Sequence, residues 1–244
     1  MRTLKLTVAY DGTAYCGWQR QLNGTSIQQL VEEAFAPLTG EAPVVHGAGR
    51  TDAGVHAAAQ VASVRVDITH PCATIRRAVN VHLPADIRLL EVEDAAPSFH
   101  ARFDAVGKTY RYRLVTADVV HPFDRWWVWH LPGRFDVSAM QAAVTMFVGT
   151  HDFAAFQAAR TDITDTVRTI HRADLMETSD GVILEVSGTG FLRHQVRTMM
   201  GTVVDVGAGR RTAESVSALM ASRDRAQAGD TAPPQGLTLV AVHY

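Results

Sequence analysis

Cysteine is nearly absent from the chain. Cys16 and Cys72 are the only two in 244 residues, too few for a disulfide framework or a four-thiolate zinc site. A reducing, cytoplasmic setting is therefore expected. Long apolar runs are missing as well. Nothing approaches the roughly 20 apolar residues that span a bilayer. The opening MRTLKLTVAY has no cleavage signal, so no secretion and no membrane partner are expected. Neither HExxH nor a cysteine pair at ligand spacing occurs, and His46 and His56, ten residues apart, are not at one either. Neither GxxxxGK[ST] nor a GxGxxG following a strand occurs. The GxG of GTGFLRHQ and of GAGRTDAG is weak by itself. Metal: none, cofactors: none, and no nucleotide cofactor are the resulting expectations. Excess positive charge is lacking too. Twenty-three Lys and Arg face 25 Asp and Glu, for a formal net charge of −2. Nucleic-acid binders are usually basic overall, so any RNA or DNA contact has to come from local patches.

What is present is an ordinary globular balance, 47% apolar and 20% charged, which can bury a full core. Residues 3–10 alternate, with Leu4, Leu6, Val8 and Tyr10 on one face of a half-buried strand. Residues 26–39 carry Ile27, Leu30, Val31, Ala34, Phe35 and Leu38 on one helical face. Ser26 and Gln29 fit a capping box, and Gly40 stands at the stop. Strands are expected at 44–48 and about 60–66, a helix from Pro71 to about Leu83, and a strand at 86–95. The order is βαββαβ. The second half repeats it: a strand at 108–116, a helix at 136–149 capped by Asp136, strands at 167–177 and 181–188, a helix at 192–206, an extra helix at 212–222 and a last strand at 237–244. The expectation is an α+β chain of two ferredoxin-like halves, 1–103 and 104–244. They would join into a pseudo-symmetric mixed sheet with a central cleft, where sites often lie. GDTAPPQG (229–236) reads as a surface loop. Trp126, Trp127 and Trp129 read as a core strand or as a contact surface.

Four residues stand out chemically. GAGRTDAGVHA (47–57) sets Arg50 and Asp52 among small residues, where backbone can pass close to a ligand. Asp52 is a nucleophile or general base in one reading. In the other, Thr51 or Asp52 caps a short helix, VHAAAQ. Arg50 is either a phosphate or ribose binder or half of a surface ion pair worth about 0–1 kcal/mol. In KTYRYR (108–113), Tyr110 and Tyr112 share a strand face, with Arg111 and Arg113 on the other. Such rings stack on unpaired bases or pack in a core. In FLRHQVRTMMG (191–201), Arg193 and Arg197 are placed on one helical face. Arg197 borders the apolar side, where it can hold a carboxylate ionised, bind phosphate, or face solvent.

YDGTAYCGWQRQ (10–21), GAGRTDAGVHA (47–57), FHARFDAVGKTYRYRL (99–114) and FLRHQVRTMMG (191–201) occur in this order and spacing. In these blocks the chain resembles, from end to end, the bacterial tRNA pseudouridine synthase A family. The stretch 151–165 matches more loosely. The resemblance implies a homodimeric tRNA enzyme that turns uridine into pseudouridine at positions 38–40 of the anticodon arm, without cofactor. It implies Asp52 as nucleophile and Arg197 as the basic residue that keeps it charged. Tyr110 would stack on the target base, and Arg50 would fill the space the flipped base leaves. The basic segments 100–113 and 191–197 would hold phosphates. A non-catalytic RNA-binding module would need Tyr110 and the patches but not Asp52. A glycoside hydrolase would want two carboxylates flanking the bond, and no second candidate for that role sits in these blocks.

Overall fold

A computed structural model describes all residues except 160 and 162. It divides into two compact units, Met1–Val106 with Thr238–Tyr244, and Gly107–Leu237. Among the described residues no helix is long and apolar enough to cross a membrane.

The first unit runs β1 (Arg2–Tyr10), α1 (Ile27–Thr39), β2 (Val45–Gly47), β3 (His56–Val66), α2 (Cys72–His82) and β4 (Ile87–Ala95). β1 is central and antiparallel to both β3 and β4. Its alternation is realised: Leu4, Leu6 and Val8 are fully buried and Tyr10 nearly so. α1 starts where the Ser26 hydroxyl accepts from Gln29 N, and Gly40 ends it with φ 83°. Its inward stripe, Ile27, Val31 and Phe35, is wholly buried. Each such side chain contributes about 1.5–3 kcal/mol of burial.

β3 is longer than the pattern suggests. It begins at His56, so VHAAAQ is strand and not the short helix that Asp52 was read as capping. Alanine favours helix, but Ala57 pairs with Tyr10 of β1 on one side and with Leu239 on the other. Ladder pairing on both edges overrides a weak local preference. Gln60, Val61 and Ala62 are correspondingly buried.

The second unit holds β5 (Gly107–Val115), β6 (Trp129–His130), α3 (Val137–Thr145), β7 (Gly149–Asp152), β8 (Val167–Glu177), β9 (Gly181–Gly188), α4 (Gln195–Gly207) and α5 (Ser215–Ser222). β5, β9, β8 and β7 pair antiparallel in that order, and β6 adds parallel to β5. α3 is shorter than expected. Asp136 does cap it, accepting from Ala139 N at 2.9 Å, but the chain leaves the helix before Gly149 and forms β7. Phe147, Phe153 and Phe156 make a wholly buried aromatic cluster, with Phe147 and Phe156 edge to face at 5.3 Å. The aromatic connection is a strand only at Trp129 and His130. Val128 is buried, whereas Phe123 is 83% and Trp126 48% exposed.

The last strand, β10 (Leu237–His243), lies in the first unit from Thr238 onward, parallel to the start of β3. The carboxyl-terminal Tyr244 hydroxyl donates to Ala101 O at 2.8 Å.

Candidate active site

The Asp52 loop joins β2 to β3 and is anchored from beneath at Ala48, Gly49 and Thr51. Ala48 N donates to Val61 O at 2.7 Å. Gly49 O accepts from the Gln60 side-chain amide at 2.9 Å. The buried Thr51 hydroxyl meets the Tyr10 hydroxyl at 2.8 Å, and Trp18 N donates to Thr51 O at 3.2 Å. With 49 and 51 held inward, Arg50 is exposed and Asp52 half-exposed. Asp52 then opens a turn closed by Val55 N on Asp52 O at 3.1 Å. Gly54, at φ 77°, supplies the left-handed residue that this turn needs. Burial pushes the Tyr10 phenol well above its usual pKa, against the smaller effect of its bond to Thr51. Tyr10 therefore stays a neutral hydroxyl.

The segment 11–26 packs against the same loop. Gly17, at φ 95°, lies so close that an added Cβ would sit 2.4 Å from Thr51 O. The buried His56 ring accepts from Gly12 N at 3.1 Å through Nδ1, with Asp11 Oδ1 3.2 Å from the same nitrogen. Arg50 Nε donates to the Gln19 amide oxygen at 3.2 Å. Its partner is neutral, so the guanidinium charge is not cancelled there. Tyr10, Trp18, His56 and Gln60 were not singled out as site residues from the sequence. The first two fall inside or beside YDGTAYCGWQRQ, but nothing in that block says they reach residue 51.

Tyr110 and Arg197 belong to the second unit. Tyr110 and Tyr112 point inward from β5, at 7% and 0% exposure. The Tyr110 ring stands edge-on to Phe191 at 5.2 Å. Tyr112 is a core residue whose hydroxyl donates to Pro233 O at 2.7 Å. On the outer face, Arg111 pairs with Glu185 at 2.9 Å and Arg113 with Asp124 at 3.3 Å. Two of the arginines expected to meet phosphate are thus matched by carboxylates.

α4 begins at Gln195, later than the pattern placed it. His194 takes φ 65°, and the Gln195 side chain turns back to accept from Leu192 N at 2.8 Å. Arg193 therefore precedes the helix and does not share a helical face with Arg197. Arg197 is half-buried in the first turn. Its Nε donates to Ala232 O at 2.8 Å, and Ala232 N returns a bond to Arg197 O at 3.2 Å. The positive charge of Arg197 opposes the burial that pushes the Tyr112 phenol upward. The stretch 229–236 is consequently no plain surface loop. Gly229, Ala232 and Gly236 are buried, and Gly229 N donates to Thr202 Oγ1 at 3.1 Å.

A family model described as tRNA pseudouridine synthase matches residues 6–104 and 143–244. The chain belongs to the tRNA pseudouridine synthase family. Arg50, Asp52 and Arg197 fall within the matched segments, and Tyr110 falls in the interval that separates them. The chain is 46% identical over 245 residues to tRNA pseudouridine synthase A of Citrifermentans bemidjiense, covering all of this chain and 98% of that protein. It is 46% identical to the Geobacter sp. strain M21 protein of the same name, covering 99% of it. Identity to the Solidesulfovibrio magneticus protein is 47% over 251 residues, or 92% of its length. The family is one of isomerases.

Proposed function

We propose that this chain isomerises uridine to pseudouridine at positions 38–40 of the tRNA anticodon arm, with Asp52 as the nucleophile. The observation that carries this reading is the Asp52 loop itself. Asp52 is half-exposed where it opens a hydrogen-bonded turn, and the small residues Ala53 and Gly54 follow it in the chain. A mere RNA binder has no use for such a feature.

The reaction breaks the N1–C1′ bond, turns the uracil, and joins C5 to C1′. The C5 proton leaves to solvent and N1 ends protonated, so atoms and electrons balance with no redox partner. The target nucleotide must first leave its stack. The carboxylate then attacks C1′, attacks C6, or assists loss of a C2′ proton. In each route it has to be ionised, and a nearby arginine favours that form. We assign this role to Arg197, whose guanidinium is oriented by Ala232 O. Tyr110 stacks on the base. At 7% exposure its cover has to shift when the nucleoside enters. Arg50, exposed and without an acidic partner among the described residues, occupies the space the base vacates.

We read the units as ferredoxin-like halves. In the first, β4, β1, β3 and β2 lie side by side in the order that βαββαβ folding gives. The enzyme would act in the cytoplasm as a homodimer, with the exposed aromatics Phe123 and Trp126 as contact candidates.

The test is tritium release from tRNA labelled at uridine C5. Wild-type protein is expected to release it, and Asp52→Asn to release none while binding tRNA within about twofold of wild type. Binding without release by the wild type would make the chain a binding module. Full activity in Asp52→Asn would remove the assigned nucleophile.

A further inference from the structure

The chain is slightly acidic, and two arginines expected to meet phosphate are already paired. A polyanionic substrate needs positive charge from elsewhere. The outer edge of the first unit supplies it. Where α2 packs beside the edge strand β4, a depression of ≈ 550 Å³ is lined by Arg76, Arg77, Asn80, Val81, Arg88, Leu89 and Leu90. No carboxylate lines it. Between residues 68 and 90 the chain has three arginines and one acid, Asp86, and that acid accepts from the Tyr15 hydroxyl at 2.7 Å.

Arg76 and Arg88 are oriented without being neutralised. Arg76 Nη1 donates to Leu90 O at 2.8 Å. Arg88 Nη1 donates to Leu83 O at 3.2 Å, to Ile87 O at 2.6 Å, and to Pro84 O. Backbone carbonyls fix a guanidinium in place and leave its net charge intact. Each side chain also keeps further N–H donors beyond the one nitrogen so used. Asn80 holds the floor rigid, since its amide both donates to Leu89 O and accepts from Leu89 N, each at 2.9 Å. Arg77 is exposed and has no ion-pair or hydrogen-bond partner among the described residues. By contrast Arg2, Arg20, Arg111, Arg113 and Arg210 each contact a carboxylate.

The groove also lies at the useful end of the sheet. Ile87, at the start of β4, pairs with Tyr10, and Tyr10 pairs with Ala57, just beyond the Asp52 loop. Strands are about 4.8 Å apart, so two strand spacings separate β4 from β3. Arg88, next to Ile87, thus lies at the start of a strand whose pairing leads through Tyr10 to the strand that follows the Asp52 loop.

We infer that Arg76, Arg77 and Arg88 form a phosphate-binding groove that holds the sugar–phosphate backbone of tRNA flanking the target nucleotide. The inference rests on the tRNA-isomerase reading. The occupant follows from charge complementarity, because planar guanidinium groups, two of them held by backbone carbonyls, match phosphate oxygens.

The experiment measures binding of fluorescently labelled tRNA across a potassium chloride series, with steady-state turnover alongside. One lost phosphate contact lowers affinity roughly fivefold near physiological salt, and reduces the salt slope by about 0.7–0.9. The triple variant R76Q/R77Q/R88Q is therefore expected to raise Kd on the order of a hundredfold and to flatten the slope by roughly two to three. Its kcat at saturating tRNA should stay at the wild-type value. Arg77→Gln alone should raise Kd about fivefold, and Arg77→Lys should recover most of that. Unchanged Kd and slope in a folded triple variant would overturn the groove. Should the triple variant not fold, unchanged values in Arg77→Gln do the same. A wild type that binds through the groove yet releases no tritium would sink the reaction and leave the groove standing. A wild type that turns over normally, with the variants binding unchanged, would sink the groove alone.

Discussion

Two segments of this chain carry arginines among residues that looked catalytic, and the fold treats them in opposite ways. In the Asp52 loop, Gly49 and Thr51 are tied inward by Gln60 and Tyr10, and Arg50 and Asp52 are turned outward. On β5 the rings of Tyr110 and Tyr112 are turned inward, and Arg111 and Arg113 on the outer face meet carboxylates. Alternation decides which way a side chain points. It does not decide whether a charge, once turned outward, remains available. In the loop, hydrogen bonds fall on uncharged groups beneath it, and Arg50 meets only the neutral Gln19 amide, so its charge is not matched there. On the strand, the cross-strand neighbour of Arg111 is Glu185, and the positive charge is matched within the protein.

The comparison breaks most visibly at Arg197, a second-unit arginine that lies on α4 and not on the β5 face. If it serves Asp52, Arg197→Ala should lower kcat on the order of a hundredfold or more, with KM changed little. A loss confined to KM would make it another phosphate contact. The second-largest effect is expected beneath the loop. Tyr10→Phe removes only the hydroxyl that meets Thr51, and leaves a buried polar atom without its partner at a cost of about 1–3 kcal/mol. Thermal unfolding should show that loss. The decisive reading is kinetic: kcat should fall roughly tenfold with KM unchanged, and Tyr10→Phe/Thr51→Val should regain stability without regaining turnover. Equal recovery of both would reduce the pair to a packing contact.

How much of this was legible in the residues can be seen at the same places. The alternation of β1, the Ser26 cap of α1 and the small-residue setting of Asp52 are local facts, and local spacing exposes them. The partners that give those features meaning are remote. Tyr10 reaches Thr51 across 41 positions, and Arg111 reaches Glu185 across 74. No spacing rule connects them. Where local preference and ladder pairing disagreed, pairing won, as in the alanines of β3. The pairing of Arg193 with Arg197 on one face failed for a smaller reason, a single left-handed residue at His194 that moves the helix start. The arginine groove was invisible because its residues come from a helix and a strand 12 positions apart, each unremarkable alone.

The smallest effect is expected on the outer face of β5, and it sharpens the comparison most cheaply. Arg111 and Glu185 are 45% and 23% exposed at the side chain, so their pair lies in screened, high-dielectric surroundings. Such pairs contribute about 0–1 kcal/mol. Arg111→Gln should therefore shift stability by less than that, and raise the Kd for tRNA by less than about threefold. The arginine already has its counter-charge in the free protein. A phosphate would have to displace Glu185 before gaining anything, so the salt slope should not change. Glu185→Gln makes the converse prediction. It frees a guanidinium, and tRNA affinity should rise slightly at low salt and lose the advantage as salt is added. If instead Arg111→Gln flattens the slope by a full contact while Arg77→Gln leaves it alone, the outer face of β5 and the α2–β4 groove have been assigned the wrong way round.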